Sequence, residues 1–460
     1  MKSGIVFVIL LIAGIVLVVG LWLLGYHLTG KWAFNHWRAE RIASGDRLDW
    51  NALVPPKVAD DQNFALDPMI RGSIVENGQV DARFKTLEIP QNVGKAFGNW
   101  QEGRRDDLEA ARSAYGKVDL QAVFKPMEPS FLALDQASKK PGCRFPTAYE
   151  ELEMPALLGF RAVVRNLRLR ALMNLRSGHP DLALEDLQTC FRLADQLKAE
   201  PSFITAILRI AILNISMQVV WEGVEDHLWG GPQLTKLQAE MAKIDLLASS
   251  KLAWQSERQN MISSFTVTAE NRPPLRFMAP DVDRHYKLGA LGRGWFYRNL
   301  LVFCEYVSSM VDAQDPFTHR VFPGKYIEPE AWMKRLRFRI DLVMARIAIP
   351  ALSGQVARFA KAQALIDEAT VVCAMERFRM EKGRLPDHLA ELTPGFLTDL
   401  PHDLVTGGPL HFSRKGDTFT LYQVGWDGKD DGGALAWTGE GEKRTIDPAK
   451  GDWAWPHADH

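Results

Sequence analysis

The sequence predicts a mainly α protein: an N-terminal transmembrane helix, an α-helical hairpin body and a small α+β module at the C-terminus. Three observations carry this. Ile5 to Leu24 is an unbroken apolar run. From about Arg104 to Lys382 apolar residues recur at spacings of three and four, as on a helix with one buried stripe. After Gly383 the texture turns to short alternating segments punctuated by glycine and aspartate, the pattern of strands and turns.

A chain of 460 residues exceeds one ordinary domain. Its 47% hydrophobic and 24% charged content is that of a globular chain. A net charge of -1 gives no global attraction to nucleic acid, and none is expected as a partner. Cys143, Cys190, Cys304 and Cys373 are too scattered for a disulfide framework. The last three sit in apolar helical patterns, where inert buried thiols are expected.

The N-terminal run is about 20 residues long, enough to cross roughly 30 Å of hydrocarbon. A cleavable signal would have a shorter apolar stretch and a small-residue exit, whereas this run ends Leu23-Leu24-Gly25-Tyr26-His27. Residues 1–30 therefore read as an anchor, with the bilayer bound through residues 5–24. Lys2 and the α-amino group favour a cytoplasmic N-terminus, against Lys31, Arg38 and Arg41 on the other flank. The expected topology is a single pass through the cell (inner) membrane with the bulk of the chain extracytoplasmic. Ile204 to Trp221 is a second apolar stretch, but Arg209, Asn214 and Gln218 suit a core helix better than lipid.

Residues 31–103 read as a juxtamembrane and extended linker region. A short helix is expected over Phe34–Ala43, ending near Gly45, and Pro55-Pro56 bars helix beyond it. Residues 104–350 form the α-helical domain. Leu157, Phe160, Val164, Leu167, Ala171 and Leu175 make one stripe; Gly178-His179-Pro180-Asp181 stops that helix and caps the next. Ala183, Leu187, Cys190, Phe191, Ala194 and Leu197 make the second stripe, and Glu200-Pro201-Ser202 opens a third helix. Over residues 152–227 this resembles a tetratricopeptide-like hairpin array, without a second copy of a 34-residue repeat. Later helices are expected at about 232–268, 293–313, 328–349 and 354–382, with a Pro/Gly-rich loop over Glu270–Gly292.

The C-terminal module spans 354–460. Leu410-His411-Phe412 and Phe419-Thr420-Leu421-Tyr422 flank the turn Arg414-Lys415-Gly416-Asp417 and predict a hairpin. The order of landmarks runs Glu376-Arg377-Phe378-Arg379, Gly383-Arg384-Leu385-Pro386, Leu389-Ala390-Glu391-Leu392, Pro394 and Leu400-Pro401-His402-Asp403. It continues through Leu421-Tyr422-Gln423-Val424-Gly425-Trp426-Asp427-Gly428 to Asp430-Asp431-Gly432-Gly433. Over about 360–433 this resembles the C-terminal domain of the type II secretion major pseudopilins. Two departures stand out: residues 1–24 lack the acidic residue of a pseudopilin N-terminus, and the module lies far from the anchor. The whole chain also looks like membrane-anchored proteins of planctomycete- and verrucomicrobia-type bacteria, a likeness that brings no activity with it.

That pseudopilin resemblance implies calcium at the Gly/Asp loop, with Asp427, Asp430 and Asp431 as candidate ligands. Clustered carboxylates on a Gly-rich turn suit a hard cation; the alternative is a solvated acidic turn. Arg161, Arg165, Arg168 and Arg176 form a basic helix face, expected to be solvated and paired with Glu150, Glu151 and Glu153. Lys334, Arg335, Arg337 and Arg339 form a second basic cluster, expected likewise to be a solvated face, with an acidic partner as the alternative. Gly289, Gly292 and Gly294 make no dinucleotide fingerprint, and Asp281, Asp283 and His285 lack a fourth metal partner. No Walker A, Gly-x-Ser-x-Gly, His-Glu-x-x-His or Cys-x-x-Cys motif is present. The expected role is a membrane-tethered, non-enzymatic interaction or scaffold protein with a protein partner. The alternatives are an envelope enzyme with a dispersed site, or an accessory of a secretion or pilus-like assembly.

The anchor reading has a direct check. A reporter fused after His460 should be active outside the cytoplasm, and N-terminal sequencing should find Met1-Lys2 retained. Cytoplasmic reporter activity would overturn the orientation, and a mature start beyond Gly25 would overturn the anchor.

Overall fold

The computed structural model describes residues 2–71, 100–102, 109, 113, 119–149, 157–269, 293–337, 339–439 and 444–456. The expectations for Glu150, Glu151, Glu153, Asp281, Asp283, His285, Gly289, Gly292, most of 72–118 and all of the 270–292 loop lie outside these residues.

The main helices, in chain order, are α1 (Lys2–Ala43), α2 (Glu128–Ser138), α3 (Leu158–Arg176), α4 (Pro180–Gln196) and α5 (Phe203–Glu225). They continue with α6 (Gly231–Met241), α7 (Leu246–Ala269), α8 (Arg293–Asp312), α9 (Pro329–Leu336), α10 (Val343–Ala351) and α11 (Gln355–Lys382). Strands β1 (Gln314–Asp315) and β2 (Arg320–Val321) form a small hairpin. Strands β3 (His411–Lys415), β4 (Thr418–Gln423), β5 (Leu435–Thr438), β6 (Thr445–Gly451) and β7 (Trp453–Ala454) lie in the C-terminal part. The protein is thus mainly helical, with small sheets and an N-terminal apolar helix.

The chain divides into two compact units, and the helical stretch expected over 104–350 contributes to both. The first comprises Met1–Leu53, Trp254–Asp312 and Gly324–Ser353; the second comprises Val54–Ala253, Ala313–Pro323 and Gly354–His460.

In the first unit α1 is one helix of 42 residues, not an anchor followed by a separate short helix. No proline or cap interrupts it after Gly25, so the backbone ladder runs on. By length and composition the stretch Leu10–Ala43 is a candidate to cross a membrane, and its N-terminal part exposes its apolar side chains, Leu17 by 63%. Its second half packs on α8. The approach is close because both helices present glycine: a Cβ on Gly294 would lie 2.4 Å from the His27 Cα, and one on Gly30 would lie 2.9 Å from the Gly294 carbonyl. Phe34, Leu48, Ile262, Leu300, Cys304 and Met344 form the core. The fully buried Arg258 donates to Asp46 Oδ1 at 2.6 Å and to Ser308 at 2.7 Å. Burial works to raise the Asp46 pKa, but Arg258 and Arg41 outweigh it and hold that carboxyl below the usual range.

In the second unit α3, α4 and α5 pack on one another, and α5 and α6 pack on α11. The joins follow the sequence: Gly178 takes φ +78 after α3, and Ser202 Oγ caps α5 by accepting from the Thr205 N–H at 3.4 Å. The apolar helix α5 is a core helix here, with Arg209, Gln218 and Glu222 buried along it. Arg209 donates to the carbonyls of Ala194 and Asp245 and to Ser249. The single helix expected at 232–268 is broken, because Asp245 accepts the Ala248 N–H at 2.8 Å and starts α7 afresh. Phe64 and Ile70, from the expected linker, are fully buried in this core. The basic face of α3 is not uniformly solvated: Arg168 turns inward to Gln218 at 3.2 Å, and Arg176 bridges Glu222 and Asp226 at 2.7 and 2.8 Å. Beside it Arg170 makes a forked pair with the buried Asp186.

Helix α11 is the axis of the second unit. The hairpin β3–β4 pairs in the register Lys415↔Thr418 around Gly416-Asp417, and β7 adds to β4. One group on α11 is out of balance. Glu368 is 1% exposed and its Oε1 has no hydrogen-bond partner. Burial, with Asp367 nearby, pushes its pKa well above the ordinary carboxyl value of 4.5. A carboxyl whose pKa is raised on folding binds its proton more tightly when folded. Its contribution is fully present below 4.5 and is lost as pH rises through the folded pKa. Glu368→Gln should therefore flatten the decline in stability above that point, read by urea unfolding of the full chain across pH. An unchanged decline would place the titration elsewhere.

Candidate functional site

Two places in the second unit concentrate polar groups: the Gly/Asp loop after β4, and a groove between α5, α11 and the hairpin.

The loop is built by close backbone approach. A Cβ on Gly425 would lie 1.8 Å from the Gly451 carbonyl, so no larger residue fits there. Gly432 and Gly433 take φ +69 and +86, conformations glycine adopts without strain. Asp427 Oδ1 accepts the Lys429 N–H at 3.2 Å. Asp430 Oδ1 accepts the Tyr422 hydroxyl at 2.9 Å and the Gly432 N–H at 3.0 Å. The Gly432 and Tyr422 bonds lower the Asp430 pKa, while burial and the Asp430 bond push Tyr422 up to about 12. Asp431 gives its backbone N–H to Asp452 Oδ2 at 2.9 Å.

Asp452, which sequence reasoning missed, organises this loop. It is 1% exposed and accepts a second N–H, from Gly433, at 2.7 Å. Its Oδ1 is buried without a hydrogen-bond partner. Burial is the main cause of its raised pKa. Nothing in the local pattern Gly451-Asp452-Trp453 marks it, because its partners lie about 20 residues earlier. Among the described residues no group of three or more His, Cys, Asp or Glu side chains is placed to hold a metal ion. Asp427 and Asp430 bond backbone N–H groups of their own turn, and Asp431 gives its N–H to Asp452.

The groove has a volume of about 770 Å³. One wall is the end of α5 with Val224, Glu225 and His227; the floor is α11 with Val372, Met375, Glu376 and Arg379. The far wall is Arg384 and Leu385 with hairpin residues including Ser413, Lys415, Asp417 and Phe419. Glu376 is 4% exposed and sits between Arg379 and His227. Arg379 donates to it at 2.8 and 2.6 Å, and His227 Nδ1 lies 3.0 Å from its Oε1. Helix α5 closes with the Leu228 N–H on the Gly223 carbonyl at 2.8 Å, which puts His227 at φ +53. Glycine is usual at that place. The imidazole is held at the groove mouth, 56% exposed. At the rim Arg384 meets Glu391 at 2.7 Å, and the backbone N–H groups of Asp387 and His388 also point at Glu391. These bonds, Arg384 foremost, bring the Glu391 pKa down to about 2.

The loop yields a contrast between carboxylates. Asp452→Ala should cost about 2 kcal/mol of local opening, roughly thirtyfold faster amide exchange at residues 431–433. Asp427→Ala should leave exchange there within about twofold. Equal exchange in the two variants would show that Asp452 does not organise the loop. No family model matches the chain, no curated protein matches it, and no solved structure matches it.

Proposed function

We propose that this chain is a membrane-tethered interaction protein of the bacterial cell envelope, anchored by a single pass of α1 with its bulk extracytoplasmic. Its C-terminal part is a pseudopilin-like module adapted to hold a partner. The groove carries this reading. Its volume of about 770 Å³ is open along the hairpin, and its buried charge, Glu376, is already neutralised by Arg379. In the sheet order β3-β4-β7, β3 is an edge among the described residues. An edge strand beside a groove suits an extended polypeptide segment, which takes backbone bonds from the edge and side-chain room from the groove. The module reading is supported by the order of α11, the Leu389–Leu392 turn, the β3–β4 hairpin and the Gly/Asp loop.

A second reading is favoured by one observation. A histidine oriented by a buried carboxylate and open to solvent is the arrangement of a general base, and His227 with Glu376 has that form.

A photo-crosslinking residue at Lys415 of the full chain, in its native membrane, should give a discrete protein adduct. The same residue at Lys236, exposed on α6, should not. Equal adducts at both positions, or none at Lys415, would remove the docking reading. Turnover of a model ester, amide or phosphoester that disappears in His227→Gln would select catalysis.

A further inference from the structure

The basic cluster around α9 and the outward face of α10 belong to neither feature described above, and both lie in the unit that carries α1. Their height along α1 is fixed by direct contacts. At 1.5 Å per residue, Ile5 to Leu24 spans about 30 Å, so Tyr26 emerges about 3 Å beyond the hydrocarbon edge. Tyrosine favours that headgroup level. The Tyr26 hydroxyl donates to Asp341 Oδ2 at 2.9 Å. Arg298 lies over the Tyr26 ring at 4.2 Å and donates to the Thr29 hydroxyl at 2.8 Å. Asn299 binds the Asp341 carbonyl at 2.8 Å and accepts the Ala345 N–H at 3.2 Å. The start of α10 is thereby tied to the point where α1 leaves the apolar run.

The residues on either side of Asp341 have the chemistry of a lipid surface. Met344, Ala345 and Ile349 of α10 are buried. Val343 and Ile347 point outward, 41% and 69% exposed, with the exposed Pro350 three positions on. The spacing i, i+4, i+7 puts all three on one face. On the N-terminal side, Lys334, Arg335 and Arg337 are exposed. Arg339 is paired with Asp341 at 2.8 and 2.7 Å. The acidic Glu328 and Glu330 stand at the opposite end of α9 from these cations.

We propose that residues 334–350 are a second membrane contact, lying on the bilayer that α1 spans. Val343, Ile347 and Pro350 enter the boundary between headgroups and acyl chains, and Lys334, Arg335 and Arg337 face anionic headgroups. An apolar face flanked by cations binds such a surface by burial and charge together. The occupant is the bilayer because the same unit already carries an apolar helix sized to span it, and the patch begins at that helix's exit. The proposal rests on the reading of α1 as the anchor, and its test separates the two.

The full chain, with the half-buried Cys143 changed to serine, would carry one cysteine at Leu17, Ile42 or Ile347, labelled with an environment-sensitive fluorophore. The remaining native cysteines are buried. Each protein is reconstituted into vesicles of phosphatidylcholine mixed with phosphatidylglycerol, containing nitroxide lipids. Leu17 should be quenched from within the acyl region, Ile347 by a nitroxide at the headgroup boundary, and Ile42, about 27 Å beyond Leu24 along the helix, by neither. An unquenched Ile347 beside a quenched Leu17 overturns the second contact and leaves the anchor standing. The same holds if Ile347 is shielded from water without quenching, which would mean a protein cover. An unquenched Leu17 overturns the anchor itself. Charge is tested by the combined variant Lys334→Glu, Arg335→Glu and Arg337→Glu. Each cation near an anionic surface contributes about fivefold in local partition. The variant should therefore abolish the gain in Ile347 quenching on going from phosphatidylcholine alone to the anionic mixture. A retained gain overturns the role of the cations.

Discussion

In the unit that carries α1, the fully buried Arg258 finds its counter-charge in Asp46, and the packing of that unit depends on this pair. Asp46 lies just past the end of α1, and Arg258 lies on α7, more than two hundred residues later. Arg41 closes the cluster from α1, reaching both Asp46 and Asp312 at the end of α8. Removing one partner of such a buried pair leaves an uncompensated charge, at about 3–5 kcal/mol. The Asp312 contact is half exposed and contributes little by comparison. The Asp46 pair therefore joins the end of α1 to α7, where the long apolar helix has become part of a packed core.

What the sequence made legible was local. The apolar run, the Gly178-His179-Pro180-Asp181 joint and the Gly416-Asp417 hairpin each depend on residues within a few positions of one another, and each is where periodicity and turn chemistry place it. The misplaced features depend on distant partners. Arg168 reads as part of a solvated face until Gln218, on the next helix but one, is seen to receive it. The 232–268 stretch reads as one helix because its apolar period is nearly continuous, yet Asp245 competes for backbone N–H groups and wins. Asp452 and His227 act on segments about 20 and 150 residues away, a separation that no periodicity reports.

The landmarks that suggested the C-terminal resemblance have physical work of their own in this chain. Arg384 and Glu391 lock the turn after α11. Asp403, fully buried, accepts the N–H groups of Val405, Thr406 and Val424. Gln423 takes the Leu404 N–H, and Gly425 lets Gly451 pass. These residues hold loops against α11 by hydrogen bonds and close packing, Gln423 reaching the Ala364 carbonyl of that helix.

His227 stands apart, because its backbone takes a conformation that glycine usually fills. A helix that only needed to end after Glu225 would be served best by glycine, since a side chain in the left-handed region costs roughly 1 kcal/mol. The chain instead carries an imidazole there, and that conformation aims it across the groove at Glu376. Arg379 already satisfies this carboxylate in two bonds, so charge balance alone does not call for a histidine. What the left-handed position secures is an imidazole fixed at the mouth of the groove beside Glu376.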